Sequence, residues 1–419
     1  MSDAESHQHL TRGTLPITRA PLWKRFLLAP ESGLVAVILA IVIGLTVYTQ
    51  VHDGPIPRKV AVAVSAGATV SEVSEAGDFT VTSGGRATAY RGTEGFELRG
   101  TPEAPIVWRT VLTNKFLNAD NLMSVLTQAS YIAVMAVGMT GIIVMGGIDL
   151  SVGSIYALAG VFGAMAIQKV APGAAFGSSA SNSPATLLVA LPVCLVVCCG
   201  VGALCGLVNG VATVGLKVHP FIITLGGMAI YRGIASVSTG GQSVNGASAL
   251  QGGAMKLELW GVTPIPVFIM IVVGAIGAFV FARMVFGRRV FAIGGNEVAA
   301  RYAGVPVGRI KIALFVINGM LAGLSALIYL GYLGAADSGA GSGYELSVIA
   351  AAVVGGASLS GGRGSAIGAV LGAIVIELIN NSILMLNISQ AYQQIIIGFA
   401  IVLAVVVDQA KQRLVARKG

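Results

Sequence analysis

Charged residues are scarce in this chain: Asp, Glu, Lys and Arg together make up 11% of its 419 residues. An ordinary globular domain carries about 25% of such residues, so a soluble protein of this length would lack the polar surface that it needs. Hydrophobic residues make up 55% of the chain, and its mean hydropathy is +0.83. The composition excludes a soluble enzyme and indicates a protein that resides in a membrane.

Residues that hold metal ions or form nucleophilic sites are also few. Cys194, Cys198, Cys199 and Cys205 lie in one uncharged apolar run without a histidine or a carboxylate, where they behave as small hydrophobic residues. No serine stands in a recognisable nucleophile motif, and the chain lacks the G-x-x-x-x-G-K-[ST] sequence that binds nucleotide phosphates. We therefore expect no catalytic residue, no metal and no cofactor in this chain, and the energy for any powered transport would come from another subunit.

Long apolar runs fill most of the sequence. A helix that crosses a bilayer needs about 20 apolar residues, and we predict ten such helices, at 33–51, 121–146, 150–168, 185–214, 218–237, 264–286, 309–332, 345–358, 365–386 and 392–407. Most of the 26 Lys and Arg residues then fall on one side of the membrane, which the positive-inside rule assigns to the cytoplasm. Both termini are thus predicted to be cytoplasmic, and the net charge of +8 reflects topology rather than binding to nucleic acid.

Five segments follow from this topology. They are a cytoplasmic N-terminal segment at 1–32, the first transmembrane helix at 33–51, an extracytoplasmic insert at 52–118, a transmembrane core at 119–408 that contains a cytoplasmic loop at 287–308, and a basic cytoplasmic tail at 409–419. Val and Thr residues alternate with polar residues in the insert, and glycines interrupt them, which is typical of short β-strands. We predict a small β-rich domain of three to five strands there, with a disordered linker as the alternative.

One short motif occurs twice. The sequences GGIDLSVGS from Gly146 and GGASLSGGRGS from Gly355 share the pattern GG-x-x-LS at an offset of 209 residues. Each copy joins one predicted helix to the next, and six predicted spans separate the two copies. Both copies would therefore face the same side of the membrane, as in a parallel repeat. The alternative is a coincidence between two glycine-rich turns.

Ionisable residues inside the predicted spans are rare, and in a membrane each one is costly and usually functional. Asp149 and Glu377 are the best intramembrane candidates. The alternative for Asp149 is a helix N-cap, because it stands at the start of a predicted helix. The alternative for Glu377 is a hydrogen bond to Asn380 or Asn381. We predict a translocation path lined by Asp149, Ser151, Phe221, Thr224, Asn318, Asn380 and Asn381.

The cytoplasmic loop offers a surface to a partner protein. Its segment NEVAARYA, from Asn296 to Ala303, is predicted to form a short amphipathic helix that starts at a capping Asn and ends before Gly304 and Pro306. Small residues on one side of this helix would let another protein approach closely. The alternative is a helix that lies on the membrane surface without a partner.

Four blocks of sequence carry a resemblance to a known family. They are GGIDLSVGSIYALAG from Gly146, HPFIITLGGMAIYRGIA from His219, GGNEVAARYAGVPVGRIKI from Gly294 and GYELSVIAAAVVGGASLSGGRGS from Gly343. In this order and spacing they resemble the permease subunit of bacterial ABC importers for monosaccharides, of the ribose and xylose type. The resemblance extends over residues 117–408. It implies an all-α polytopic permease of the bacterial inner membrane that moves a sugar into the cytoplasm by alternating access.

The same resemblance implies the partners of the chain. The permease would pair with a second copy of itself and receive its sugar from an extracytoplasmic binding protein. Cytoplasmic ATPase subunits, which bind ATP and magnesium, would drive it, and membrane lipid would surround it. The resemblance also implies that the short helix is a coupling helix on which the ATPase docks through Gly295, Asn296, Glu297, Ala299, Ala300, Arg301 and Gly304.

The long insert departs from the family, which usually has a short loop after its first span. One explanation is that the insert contacts the binding protein, and the other is that it is an addition without a direct role in transport. Trp23, Trp108 and Trp260 lie outside the span interiors, so we expect no aromatic platform for a sugar ring in the membrane. The alternative functions are an ABC permease for another small polar solute, such as a branched-chain amino acid, and an ion-coupled secondary transporter that uses Asp149 or Glu377.

Overall fold

The computed structural model describes residues 32–62, 68–73, 78–83, 86–101, 104–170, 184–245, 250, 254–257, 263–389, 391–399, 402 and 406. Eight of the described helices are long and apolar enough to cross a membrane. The helices are α1 (Ser32–His52), α2 (Ala119–Val144), α3 (Val152–Val170), α4 (Pro184–Leu216), α5 (Pro220–Thr239), α6 (Ile265–Arg283), α7 (Val285–Gly295), α8 (Glu297–Tyr302), α9 (Val307–Leu333), α10 (Tyr344–Val354) and α11 (Ala366–Met385). The protein is therefore a mostly helical, polytopic membrane protein.

The long helices coincide with eight of the ten predicted spans, within three residues at each end. The predicted span at 345–358 is instead the short helix α10, whose 11 residues extend about 16 Å and do not reach across a bilayer. The last predicted span, at 392–407, is helical at 391–399, 402 and 406, and its other residues lie outside the described part of the chain.

Six strands lie among the described residues between α1 and α2, where three to five were expected. They are β1 (Ile56–Val62), β2 (Thr69–Val73), β3 (Phe79–Ser83), β4 (Arg86–Tyr90), β5 (Phe96–Thr101) and β6 (Ala104–Thr113). Strand β6 lies between β1 and β5 in one antiparallel sheet, and β3 lies between β2 and β4 in another. A small apolar core joins the two sheets, with Phe79, Val81 and Val107 buried in it. Two further two-residue strands, β7 (Val244–Asn245) and β8 (Ala335–Ala336), pair elsewhere in the chain.

One asparagine fastens the end of this insert to the first helix. Asn114, which follows β6, accepts a hydrogen bond from Thr49 Oγ1 at 2.9 Å and donates one from Nδ2 to the Thr46 carbonyl oxygen at 3.0 Å. Next to it, Lys115 forms an ion pair with Asp53 at 3.1 Å. The chain therefore leaves the helical bundle and returns to it at one place.

The bundle is built around the crossing of α4 and α9. Gly202 of α4 faces Gly319 of α9, and a Cβ atom on either glycine would collide with the backbone carbonyl oxygen of the other. Small residues at a helix crossing let two backbones approach closely, which is how helices associate in membranes. The cysteines of α4 also serve in packing: all four are free, and Cys198 Sγ lies 3.3 Å from the carbonyl oxygen of Ala159 in α3.

The two GG-x-x-LS motifs end two helices with the same backbone geometry. Helix α2 ends at the left-handed Gly146 (φ +85°), and α10 ends at the left-handed Gly356 (φ +94°). In each case the amide after this glycine donates to the carbonyl oxygen five residues earlier at 2.9 Å, which is a Schellman motif. The two left-handed glycines, Gly146 and Gly356, are 210 residues apart, whereas the first residues of the two motifs, Gly146 and Gly355, are 209 residues apart. The two turns also touch, because the Gly362 amide donates to the Val144 carbonyl oxygen at 2.8 Å.

Candidate translocation path and coupling loop

Asp149 lies in the turn between α2 and α3 and is fully buried. Its Oδ1 accepts hydrogen bonds from the amide and the hydroxyl of Ser151, at 2.9 and 2.6 Å. Its Oδ2 accepts one from Asn318 Nδ2 at 2.9 Å. The first two bonds shape the turn that starts α3 at Val152, whereas the third joins this turn to α9. The capping interpretation therefore accounts for one carboxylate oxygen, and a different helix holds the other.

Two residues that the sequence analysis did not single out extend these contacts. Asn209 of α4 donates from Nδ2 to Ser151 Oγ at 2.8 Å, and the Tyr231 hydroxyl of α5 donates to Asn209 Oδ1 at 2.9 Å. Thr224 of α5 joins them, because its Oγ1 accepts a hydrogen bond from the Leu150 amide at 3.1 Å. Buried polar groups require such partners. We call the set the Asp149 network: Asp149, Ser151, Asn209, Thr224, Tyr231 and Asn318.

The Asp149 network lies inside the bundle rather than at its end. Asn318 is 11 residues from the first residue of α9 and 15 from its last, so it stands near the middle of a 27-residue helix. Gly138, which packs against Asn318, precedes the end of α2 by six residues. The chain therefore turns back after α2. Asp149, which Asn318 contacts, lies beside Gly138, about 9 Å before the C-terminal end of α2, since six helical residues extend about that far. Non-helical backbone at membrane depth is tolerated where it is buried in protein or lines a cavity, and in many transporters it lies at the substrate and ion sites.

The other predicted path residues lie in different groups. Asn380 Nδ2 donates to Glu377 Oε2 at 3.1 Å within α11. Asn381 exchanges two hydrogen bonds with Asn121 of α2, at 2.9 and 3.3 Å. The Phe221 side chain is 42% exposed on α5. The structure thus brings together four of the seven predicted residues, Asp149, Ser151, Thr224 and Asn318.

Four tyrosines from four helices form an aromatic cluster inside the bundle, although no aromatic platform was expected there. Tyr131 of α2 and Tyr156 of α3 pack against Tyr329 of α9, with ring centroids 5.9 and 5.4 Å apart. Tyr156 also packs against Tyr344 of α10 at 5.5 Å. The expectation was drawn from tryptophan alone and did not consider these tyrosines. We call Tyr131, Tyr156, Tyr329 and Tyr344 the tyrosine cluster.

Arg232 of α5 holds the loop that precedes α10. Its Nη1 donates to the carbonyl oxygens of Ser338 and Ala340, at 2.7 and 2.5 Å. Further along this loop, Gly341 lies against the Tyr156 ring, so the loop enters the bundle. Non-helical backbone inside a membrane protein needs such partners for its carbonyl oxygens. Arg232 therefore stabilises a short segment that positions α10.

The short helix predicted in the loop 287–308 is α8. Asn296 caps it by accepting a hydrogen bond from the Ala299 amide at 2.9 Å. The left-handed Gly304 (φ +78°) follows its other end, where the Val305 amide donates to the Ala300 carbonyl oxygen at 3.0 Å. Both ends of this helix agree with the prediction because caps are local features of the sequence.

The predicted docking residues do not share one face of α8. Ala300 is 5% exposed and packs into the core, whereas Ala299 is exposed. Val298 and Tyr302, which the sequence analysis did not single out, are 62% and 89% exposed and lie one helical turn apart. Tyr302 could have been identified from the sequence, because an aromatic residue is unusual in so short and polar a helix. Val298, Ala299, Arg301 and Tyr302 are the exposed residues of α8, and we call them the docking face because a partner protein would contact them.

Glu297 ties α8 to α9. Its Oε2 accepts a hydrogen bond from Lys311 Nζ at 2.8 Å, and its Oε1 accepts one from Arg301 at 3.2 Å. The hydrogen bond from Lys311 is the main cause that lowers the pKa of Glu297 below its ordinary value. Lys311 and Asn318 are seven residues apart on α9, so they lie on one face of that helix. Helix α9 is therefore bonded to α8 through Lys311 and to Asp149 through Asn318.

The polar groups inside the bundle are suited to a polar solute. In the part of the chain that the structure describes, no group of three or more His, Cys, Asp or Glu side chains lies together as a metal site requires. The Asp149 network and the tyrosine cluster instead offer hydroxyls, amides and a carboxylate. Such groups exchange hydrogen bonds with a solute that passes between helices.

Comparison with known proteins identifies the family. Residues 121–405 match the family described as the branched-chain amino acid transport system / permease component. The ribose import permease of Escherichia coli (strain K12) is 37% identical over 308 residues, which are 72% of this chain and 90% of that protein. The ribose import permease of Bacillus subtilis (strain 168) is 35% identical and matches 72% of this chain and 88% of its own. The D-allose transport system permease of Escherichia coli (strain K12) is 34% identical, with 70% and 85% covered. No solved structure matches the chain.

These relatives are permease components of transport systems, and the match spans more than half of the chain. The eight long apolar helices agree with a multi-pass protein of the inner membrane. The chain is therefore a transport component rather than an enzyme, and it belongs to the permease family of the branched-chain amino acid transport system type.

Proposed function

We propose that this chain is the permease subunit of an ATP-driven ABC importer that moves a monosaccharide of the ribose type into the cytoplasm by alternating access. One observation carries the proposal: relatives that match at least 70% of the chain are permeases for ribose and for D-allose. Both sugars are neutral polyols. The hydroxyls and amides of the Asp149 network suit such a solute, because they both donate and accept hydrogen bonds.

The chain would act in a complex. A second copy completes the path, an extracytoplasmic binding protein delivers the sugar, and cytoplasmic ATPase subunits bind ATP and magnesium. Two contacts support this orientation. The insert joins the N-terminal end of α2, whereas Gly294, next to α8, packs against Val144 at the C-terminal end. The loop before α10 enters the bundle, and the turn after α10 touches Val144, so this loop and α10 together would return the chain to the side of α8. This path would place both termini and α8 in the cytoplasm and the insert, as a small β-domain, outside.

The contacts of α8 supply a route for coupling. An ATPase that holds the docking face moves α8, and the ion pair from Glu297 to Lys311 passes this movement to α9. Two turns further along α9, Asn318 holds Asp149 in the broken segment between α2 and α3. The Asp149 network then changes when α9 tilts, which opens one end of the path and closes the other.

The family description offers a second solute class, the branched-chain amino acids. An amino acid carries an ammonium and a carboxylate, and both need partners of opposite charge inside a membrane. Arg232 lies beside the loop that packs on Tyr156, and its Nη1 is already held by two carbonyl oxygens of that loop. A neutral sugar therefore suits the described polar groups better.

Affinity purification and uptake test the proposal together. The tagged chain is purified from its native membrane, and the proteins that accompany it are identified by mass spectrometry. Uptake of radiolabelled D-ribose, D-allose and L-leucine is measured in the same cells. An ATPase, a sugar-binding protein and uptake of a sugar are expected. A chain that purifies alone and takes up solute from an ion gradient without ATP would instead be a secondary transporter, and uptake of leucine alone would assign the second solute class.

A further inference from the structure

We propose that the tyrosine cluster, together with Glu377 and Asn380, is the place where the permease contacts the sugar inside the membrane. We call these six residues the tyrosine–Glu377 site: Tyr131, Tyr156, Tyr329, Tyr344, Glu377 and Asn380. The inference rests on the proposed function, because it takes the solute to be a monosaccharide. It places the first contact with the sugar at this site, before the Asp149 network on the path.

Unpartnered polar atoms are the first observation. Tyr156 is 1% exposed, and its hydroxyl has no hydrogen-bond partner among the described residues. The Oδ1 atom of Asn380 is also buried without a partner among them. Native proteins leave few buried polar groups unpaired, and each exception calls for an explanation. Hydroxyl groups of a bound sugar would pair with both atoms.

The carboxyl group of Glu377 is the second observation. Glu377 is 5% exposed, and in the described part of the chain it accepts a hydrogen bond from Asn380 Nδ2 within its own helix. Its helix α11 packs against α2 and α10, the helices that carry Tyr131 and Tyr344. A carboxyl group inside a membrane helix is costly and typical of a transport path. Carboxylate oxygens accept hydrogen bonds from neighbouring hydroxyls, which a monosaccharide carries in pairs.

The aromatic rings supply the other half of sugar recognition. The face of an aromatic ring carries partial negative charge, so it attracts the C–H groups of an apolar sugar face. Tyr329 and Tyr344 are half-buried, whereas Tyr131 and Tyr156 are buried, so the cluster extends from the interior to an accessible surface. Ligand sites commonly combine aromatic side chains with a few placed polar groups.

The position of the site fits the direction of import. Tyr329 follows Asn318 by 11 residues on α9, about three helical turns, toward the end of the bundle that carries the insert. A sugar that enters from the side of the insert would therefore reach the tyrosine–Glu377 site first and the Asp149 network afterwards. Helix α9 connects the two, because Ser325 Oγ donates to the Tyr131 carbonyl oxygen at 2.8 Å.

The decisive variant is Tyr156→Phe, because it removes only the unpartnered hydroxyl. If this hydroxyl had a purely structural role, its removal would leave stability equal or higher and uptake unchanged. If it contacts the sugar, the maximal rate of uptake falls about fivefold, which is the loss expected for one neutral hydrogen bond. The half-saturating concentration stays the same, because the binding protein sets it.

Thr113→Val is the matched control. The hydroxyl of Thr113 is also buried without a partner among the described residues. Thr113 lies at the end of β6 in the insert, outside the tyrosine–Glu377 site and away from the ion pair of Glu297 with Lys311. The control variant should therefore take up sugar at the rate of the wild type.

Glu377→Gln provides a second variant. It keeps the size of the side chain and an oxygen for Asn380, removes the negative charge and relieves the cost of burying it. Uptake is expected to fall tenfold or more, because hydrogen bonds to a charged group are stronger than neutral ones. Insertion into the membrane and the midpoint of thermal unfolding should be retained.

The measurement uses cells that carry the intact importer, with radiolabelled D-ribose and D-allose as probes. Reduced maximal uptake in both variants, with unchanged unfolding midpoints of the purified proteins, supports the site. Wild-type uptake in both variants, or a loss of uptake that parallels a lower unfolding midpoint, would overturn it. Failure of the unmodified chain to take up either sugar would overturn the proposed function and this inference with it.

Discussion

Asn318 donates a hydrogen bond to Asp149 over 2.9 Å, although the two residues are 169 positions apart in the chain and both are fully buried. The bond joins the segment between α2 and α3 to α9, which begins at Val307 in the cytoplasmic loop predicted at 287–308. It also leaves the Oδ1 atom of Asn318 without a partner among the described residues. One atom of the Asn318 amide is thus paired and the other is not, so substitutions of Asn318 and of Asp149 should have different effects.

Replacing Asn318 by Ala should destabilise the protein by about 1–3 kcal/mol, because Oδ2 of Asp149 loses its partner while buried. Asp149→Asn should be tolerated. Rotation of the Asn318 amide presents its free Oδ1 to the new amide group at position 149. The midpoints of thermal unfolding in one detergent compare the two variants. Equal loss in both would contradict this account of the bond.

The docking face of α8 predicts opposite results for two neighbouring alanines. Ala299→Asp should leave the unfolding midpoint unchanged and abolish co-purification of the ATPase, because Ala299 is exposed. Ala300→Asp should lower the unfolding midpoint, because it buries an unpaired charge in the core. Normal recovery of the ATPase with the Ala299 variant would show that this face is not the docking surface.

Tyr302→Ala tests the same face by removing a contact rather than adding a charge. Tyr302 is 89% exposed, so its removal costs the folded permease little. Exposed aromatic residues are frequent anchors of protein interfaces, and the loss of one typically weakens binding tenfold or more. Titration of the purified ATPase onto the permease in detergent measures the change. Unchanged affinity would remove Tyr302 from the docking face.

The ion pair between Glu297 and Lys311 predicts a specific pH dependence. The pKa of Glu297 is lowered in the folded protein, so its contribution to stability is fully present above the ordinary Glu pKa of about 4.3. This contribution is lost only as the pH falls through the lowered pKa. Hydrogen exchange of the α8 amides, corrected for intrinsic rates, should therefore stay constant from pH 7 to about pH 5 and rise at lower pH. Glu297→Gln should exchange faster than the wild type above about pH 5 and should lose this dependence.

The crossing of α4 and α9 predicts that Gly319→Ala is severely destabilising. The added Cβ atom meets backbone rather than a flexible side chain, and overpacking of this kind costs about 1–3 kcal/mol or more. Gly200→Ala is the matched control, because no atom lies within 4 Å of the position of its Cβ. Yield and unfolding midpoint in detergent should separate the two variants. A Gly319 variant as stable as the control would contradict the close approach.

The spans and the caps of α8 were predictable because both depend on residues that are neighbours in the sequence. A run of 20 apolar residues or an Asn three positions before a helical amide is visible without a fold. The length of α10 was not predictable in this way. Its start was predicted at residue 345, next to the observed Tyr344, but its end was predicted at 358, because the residues that follow it are also apolar or small. The left-handed Gly356 ends the helix earlier, at Val354.

The candidate path shows the same division. Asp149 stood out because a carboxyl group in an apolar region is unusual. Asn209 is a similar polar residue inside the apolar run of α4, but it was not among the predicted path residues. The tyrosine cluster offered no local signal, because its four residues lie on four different helices and meet only after packing. The orientation of Ala300 likewise depends on where α8 lies against the core.

The pairing of β1 with β6 begins at Ile56 and Thr113, directly beside the junction that Asn114 fastens. Paired strands lie about 4.8 Å apart, so the chain returns almost to the point from which it left. A direct link of two or three residues would close the same gap. The insert is therefore exchangeable as a unit: it can be removed, replaced or fused to another domain while the path from the first helix to the second keeps its geometry.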